Sequence, residues 1–348
     1  MLHFKTTMDM HWIGIDVSKA KLDVALTDDR GAVIEERKVA NTDQGLTGLI
    51  KRWSDTYGLN KTECLICLEP TGHYSNQALR TLVKLECPTW LAHPRDIQKS
   101  IGLQRGKSDK VDARRIADYA RRFGDKAHLF TSKDLELEKV GHLLTRRRQL
   151  VKERKRYMVQ LKDRNPCLAD LRVQFDRFDK QQIVALNKAI KQVEAAIEKE
   201  LRKDTETART YELLCSVPGV GLVLAAYLMV KTAAFTRFPT PRALACQAGV
   251  VPYEHTSGTS VKGKPRVSHH ADKPLKSLLH MAAIGMVRLP CDLQAYYQRK
   301  VAEGKPKMVV LNAMRNKIIH RIYAVIGRGE PYRVDYTLVM QQAALPIL

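Results

Sequence analysis

The stretch WIGIDVSKAKLDVALTDDRGAVIEERKV, residues 12–39, holds three apolar-rich runs separated by short polar turns. Trp12–Asp16, Leu22–Thr27 and Ala32–Val39 each have the length of a strand, and Asp29-Arg30-Gly31 between the last two is a hairpin signal. The turns are too short for anything but antiparallel neighbours, so the opening predicts a three-stranded meander. The first run also ends on an acid. Trp12 to Ile15 are apolar and Asp16 follows them, which puts its carboxylate at the carboxyl end of a buried strand.

Working outward, a helical pattern near 42–53 leads to a strand over Cys64–Glu69, and a second near 74–86 leads to a strand over Thr89–His93. Three meander strands followed by two helix-crossed strands is the ribonuclease H-like order, and it predicts an α/β domain over residues 1–130. Glu69 repeats the placement of Asp16, since it follows the apolar run Leu65–Leu68. In Lys107-Ser108-Asp109-Lys110-Val111-Asp112-Ala113-Arg114, two further acids stand three apart at the start of a helix, which turns them to one face. Four acids at strand tips and a helix start point to divalent-metal phosphoryl chemistry. The structural alternatives are a turn cap for Asp16 and a helix N-cap for Asp109.

Composition points the same way. The chain of 348 residues has 59 Lys and Arg against 37 Asp and Glu, a net charge of +22, which calls for a polyanionic partner, most plausibly nucleic acid. A membrane surface is the weaker alternative, because no lipid-anchor motif or basic helix with an aromatic face is present and aromatics are only 6% of residues. The N-terminus shows no signal-peptide pattern, and the expected location is the cytoplasm. Seven cysteines at irregular spacing argue against a disulfide framework. Cys64 and Cys67 form a C-x-x-C inside a predicted strand, where residues three apart face opposite ways; they read as two half-buried thiols and not as a zinc site.

From 131 to 205 the sequence is long, charged and nearly free of glycine, the texture of extended helices. Ile183, Leu186, Ile190, Val193 and Ile197 form a coiled-coil-like seam. Leu137, Val140, Leu144, Val151, Met158 and Leu161 complete it only if Arg147 and Arg154 take inward positions. The predicted element is an imperfect hairpin or dimerising arm. Its cations Arg146, Arg147, Arg148, Lys152, Arg154, Lys155 and Arg156 either contact a nucleic-acid backbone or form a solvated basic face. Residues 206–348 read as a mainly helical domain. Val217-Pro218-Gly219-Val220-Gly221 resembles a helix-hairpin-helix turn, in which Gly219 and Gly221 would let a phosphate approach backbone N–H groups; a plain turn between packed helices is the alternative. The loop Thr256-Ser257-Gly258-Thr259-Ser260-Val261-Lys262-Gly263-Lys264-Pro265-Arg266 is dense in hydroxyls and cations and suits a phosphodiester, although such residues also serve ordinary loops.

Taken in order, Ile13-Gly14-Ile15-Asp16-Val17-Ser18-Lys19, Glu69-Pro70-Thr71-Gly72, the Lys107–Arg114 segment, Val217–Gly221, Ala248-Gly249-Val250-Val251-Pro252 and Ser257-Gly258-Thr259-Ser260 resemble the DEDD transposases of the IS-one-ten insertion sequences, relatives of the Piv DNA invertases. The resemblance implies a RuvC-like domain, a coiled-coil segment and a serine-containing transposase domain. It implies that Asp16, Glu69, Asp109 and Asp112 hold Mg²⁺, with Mn²⁺ as a substitute, and that Ser257 is the nucleophile, with Thr256, Thr259 and Ser260 as alternative hydroxyls. It further implies donor and target duplex DNA, a structured bridge RNA as guide, and a homo-oligomer, dimer or tetramer, in which one protomer's acids face another's serine. Arg105, Lys107, Lys110, Arg114, Lys262, Lys264 and Arg266 are the expected nucleic-acid contacts near the two centres. Competing functions are a RuvC-like Holliday-junction endonuclease that uses water, and a non-catalytic nucleic-acid-binding protein.

Overall fold

A computed structural model describes residues 10–101, 109–163, 171–257, 261–267 and 271–333, with backbone alone for Ile101, 253–257 and 261–266. The chain divides by contact into two compact units, Met1–Leu135 and Glu136–Leu348.

In the first unit, β1 (His11–Val17), β2 (Lys21–Thr27) and β3 (Val33–Ala40) form the predicted antiparallel meander. Helix α1 (Asp43–Tyr57) crosses to β4 (Cys64–Leu68), and α2 (Ser75–Lys84) crosses to β5 (Thr89–Leu91). Both crossovers make parallel pairs, β1 with β4 and β4 with β5, giving one mixed five-stranded sheet in the order β3-β2-β1-β4-β5. Helices α3 (Pro94–Ile101) and α4 (Asp109–Phe123) complete the unit.

Alternation along the strands decides which face each residue serves. Ile13, Ile15, Leu22, Val24, Ile66 and Leu68 pack on one face with Leu46, Ile50 and Trp53 of α1 and Leu79 and Leu82 of α2. Trp12, Leu65, Cys67 and Trp90 pack on the other with Ile116, Tyr119 and Ala120 of α4. With both faces covered, Cys64 and Cys67 lie on opposite sides, yet each is fully buried and not half-buried as expected. Burial pushes the Cys64 thiol up to about 12 and raises that of Cys67, so neither is a reactive thiolate.

Helix α4 lies against β1 at unusually short range because Gly14 has no side chain. A Cβ at Gly14 would run into the backbone carbonyl oxygen of Ala113 and the amide nitrogen of Ala117, and would lie 3.0 Å from the Ala117 Cα. The helix answers with its own small residues, Ala113, Ala117 and Ala120, all buried. At the sheet's carboxyl edge, Thr42 caps α1 by accepting from the Gly45 amide at 3.1 Å. Its neighbour Asn41 donates from Nδ2 to the Ser18 carbonyl at 3.1 Å and the Tyr74 carbonyl at 3.0 Å, tying the segment after β1 to the segment after β4.

The second unit is helical. Residues of α5 (Ser132–Lys162) and α6 (Arg172–Leu201) make the arm. Arg147 and Arg154 do take inward positions: Arg147 Nε donates to Glu194 at 2.7 Å and Arg154 Nη1 to Asn187 Oδ1 at 2.8 Å. The two contacts run in opposite chain directions and sit seven residues apart on each helix, the register of an antiparallel heptad. Helices α7 (Thr205–Ser216), α8 (Leu222–Thr232), α9 (Pro241–Gln247), α10 (Lys273–Arg288), α11 (Asp292–Ala302) and α12 (Lys307–Arg328) surround one core that includes Leu214, Leu228, Met229, Leu279, Met286, Ile318 and Ile322. A two-stranded antiparallel hairpin, β6 (Tyr253–Ser257) and β7 (Val261–Arg266), interrupts them. Among the described residues, no helix is long and apolar enough to cross a membrane.

Gly14→Ala is expected to force α4 off the sheet and cost roughly 1–3 kcal/mol by overpacking. Gly48, on the exposed side of α1 with nothing within 4 Å of a built Cβ, is the control; Gly48→Ala should leave stability unchanged or raise it by up to about 1 kcal/mol. Urea unfolding of the two variants checks both.

Candidate active site

Three elements carry the acids. Asp16 is on β1 and shares the α4 side of the sheet with Trp12 and Gly14. The parallel register Ile15↔Leu68 brings the position after Leu68, Glu69, beside Asp16, and strand alternation gives it the face of Leu65 and Cys67. The first turn of α4 supplies Asp109 and Asp112, and the close approach permitted by Gly14 brings that turn over the strand ends.

The carboxylates feel one another. Burial, followed by the negative charges of Asp109, Asp112, Glu69 and Asp23, raises the half-buried Asp16 carboxyl from an ordinary 3.8 to about 6. Every named neighbour pushes in the same direction, so Asp16 sits in a negative field that nothing among its contributors offsets. Asp112 is partly compensated, accepting from Arg115 Nη1 at 3.0 Å. Among the described residues, no three His, Cys, Asp or Glu side chains are grouped tightly enough to hold one metal ion in this arrangement. The donor set nonetheless fits a hard divalent cation: it consists of carboxylate oxygens, and its field rewards positive charge.

Asp23 is a contributor that the sequence reading missed. It pairs directly with Asp16 across the β1–β2 hairpin, is 4% exposed, and is ion-paired with Lys38 at 3.4 Å. The hairpin register was the available signal, since a turn at 18–20 sets Asp16 opposite Asp23.

The expected nucleic-acid contacts divide by environment. Arg114 grips Glu36 of β3 through both Nε and Nη2, the latter at 2.7 Å, and Lys110 adds its charge to the same glutamate. Arg147 and Arg154 are committed to α6, whereas Arg146, Arg148, Lys152, Lys155 and Arg156 are exposed along α5. Gly219 has φ +82°, and a Cβ there would meet Met286 at 3.0 Å and the Ala282 carbonyl at 3.2 Å, so packing against α10 accounts for this glycine. Gly221 caps α8 and faces open space. Ser257 ends β6, its backbone paired with Val261. Its side chain and those of Thr256, Lys262, Lys264 and Arg266 lie outside the described set, as do Arg105, Lys107, Thr259 and Ser260.

A raised folded-state carboxyl binds its proton more tightly than the unfolded chain does. The native state therefore holds the extra proton between about pH 4 and 6, and stability falls as pH rises through that window. Asp16→Asn should unfold at higher urea than the parent protein near pH 8, with the difference closing as the pH approaches 4; midpoints measured across that range in a metal-free buffer check the sign.

Comparison with known proteins supplies the family. A DEDD transposase profile of the IS110 type matches residues 13–164, and a profile described as the transposase IS116/IS110/IS902 family matches residues 211–298. The chain is 26% identical over 334 residues to the pilin gene-inverting protein of Moraxella bovis, covering 93% of this chain and 98% of that one. It is 24% identical over 357 residues to the transposase for insertion sequence element IS1111A of Coxiella burnetii, covering 94% and 93%. Over 144 residues it is 29% identical to an insertion element IS110 protein of Streptomyces coelicolor, covering 41% of this chain and 35% of that one. The two matched segments, 13–164 and 211–298, together span more than half of the chain, and with relatives aligned over nearly its whole length the chain belongs to the IS110-type transposase family and is by class a DNA recombinase or transposase.

Proposed function

We propose that the chain cleaves and rejoins DNA strands of a mobile element through a ribonuclease H-like (RuvC-like) acid centre and a serine nucleophile, guided by a structured bridge RNA. The observation that carries the acid-centre part of the reading is the gathering of acids from β1, the end of β4 and the first turn of α4, which burial and four other acids express as an upward shift of Asp16. Around Asp16 the neighbouring acids all push the same way even though Arg115 pairs with Asp112 and Lys38 with Asp23, and a concentration of like charge of this kind is characteristic of functional sites.

Asp16, Glu69, Asp109 and Asp112 would hold Mg²⁺ or Mn²⁺. The metal, when bound, supplies Lewis-acid stabilisation to phosphoryl oxygens and eases ionisation of a hydroxyl. Ser257 is the hydroxyl that the family resemblance assigns. Its Oγ forms a bond to the scissile phosphorus as the bond from phosphorus to the departing sugar oxygen breaks; the serine proton leaves to a base, and the sugar oxygen takes up a proton. The resulting phosphoserine retains the bond energy needed for rejoining, which a water nucleophile would discard. The exposed cations of α5 and the +22 net charge support long-range attraction of DNA and RNA. Work in the cytoplasm as a dimer or tetramer accords with this reading.

The test is the full chain, purified with its copurifying RNA, incubated with Mg²⁺ and duplex DNA bearing the element's ends. A protein–DNA adduct that survives denaturation is expected from the parent chain. Ser257→Ala should lose the adduct, and Asp16→Asn and Asp112→Ala should lose both cleavage and adduct. Cleavage that persists in Ser257→Ala without an adduct would instead indicate a water-using junction nuclease, and sequencing the copurified RNA shows whether it derives from the flanks of the gene.

A further inference from the structure

Arg315 lies midway along α12 and is 5% exposed, yet among the described residues it has no acidic partner. Its Nη2 donates to His280 Nδ1 at 2.7 Å and its Nη1 to Asn312 Oδ1 at 3.4 Å, while its Nε is buried with no hydrogen-bond partner. Lys276, one turn before His280 on α10, joins the cluster: burial and the Arg315 charge both lower the Lys276 and His280 pKa values, and burial lowers that of Arg315 itself. Asp272, an acid one turn further back, is occupied. It accepts from the Tyr227 hydroxyl at 2.8 Å, pairs with Lys231 at 3.1 Å and caps α10 through the Leu275 amide.

A guanidinium buried against a histidine, with one N–H unsatisfied and the charge of Lys276 felt from one turn along α10, is expensive unless an anion completes it. Packing does not require it, because a thioether or aliphatic chain fills the same space at lower cost. We propose that Arg315, Lys276 and His280 form a phosphate-binding site for a backbone phosphodiester of the DNA on which this chain acts, an inference that rests on the functional reading above. Guanidinium presents paired donors that match phosphate oxygens. His280 accepts from Arg315 at Nδ1, which leaves Nε2–H as a second donor, and half-buried Lys276 supplies a third from the rim. The location suits strand positioning. Asn312, which also holds Arg315, donates from Nδ2 to the Val250 carbonyl at 2.7 Å, anchoring the segment that leads into β6 and Ser257.

The test uses the full chain and two variants, Arg315→Met and Lys276→Gln, with inorganic phosphate and duplex DNA as separate probes. Phosphate should raise the melting temperature of the parent protein at constant ionic strength and do so less in either variant. Without phosphate, Arg315→Met should melt at or above the parent temperature, the reverse of what a purely structural arginine predicts. Either variant should weaken duplex binding about tenfold and reduce the slope of log K against log salt by about 1. Should Arg315→Met fail to fold, Lys276→Gln at the rim gives the same readouts. The phosphate arm contains no nucleic acid and so separates this site from the proposed reaction: an unchanged phosphate response in the variants overturns the site even if strand transfer is intact. A phosphate response lost in the variants while their duplex affinity and salt slope stay unchanged overturns the DNA assignment.

Discussion

The first unit depends on one contact, the backbone of α4 resting on Gly14 of β1. Because Gly14 has no Cβ, Ala113 and Ala117 can approach the strand to a distance that any other residue would prevent. That approach determines how far the first turn of the helix, with Asp109 and Asp112, stands from the strand ends that carry Asp16 and Glu69. The spacing of the four acids is thus set by a residue that carries no functional group.

The approach has an electrostatic cost, visible at Asp16. Four other acids and partial burial hold its carboxyl up at about 6, so near neutral pH the folded protein carries charge that would be more comfortable in the unfolded chain. Sheet and helix packing, with the direct ladder between β1 and β4, must outweigh this repulsion, and Asn41 adds a link between the segments that follow the two strands. The second unit shows the opposite sign of the same imbalance. Arg315 and Lys276 gather positive charge beside a neutral His280, with no acid among the three.

Much of the first unit was legible in the sequence because its rules are local. Short turns compel antiparallel neighbours, helical crossovers compel parallel ones, and period-two alternation places an acid that follows an apolar run on a definite face; these rules gave the meander, the two crossovers and the strand-end positions of Asp16 and Glu69. The inward places of Arg147 and Arg154 were readable from the heptad for the same reason. What remained hidden depends on which elements meet. Nothing near Gly14 in sequence announces α4, and nothing near Arg114 announces Glu36. The full burial of Cys64 and Cys67 follows from helices on both faces of the sheet, and the isolation of Arg315 only from the packing of α12 on α10.

On the proposed reading, the acids at the ends of β1 and β4 and on α4 form one centre that divalent cations complete. Manganese binding followed by electron paramagnetic resonance on the full chain, compared with a Glu69→Gln, Asp112→Asn double variant, addresses it without requiring DNA or turnover. Saturable Mn²⁺ binding that Mg²⁺ displaces is expected in the parent chain and absent from the double variant. Equal binding by the two proteins, or none by either, would contradict it.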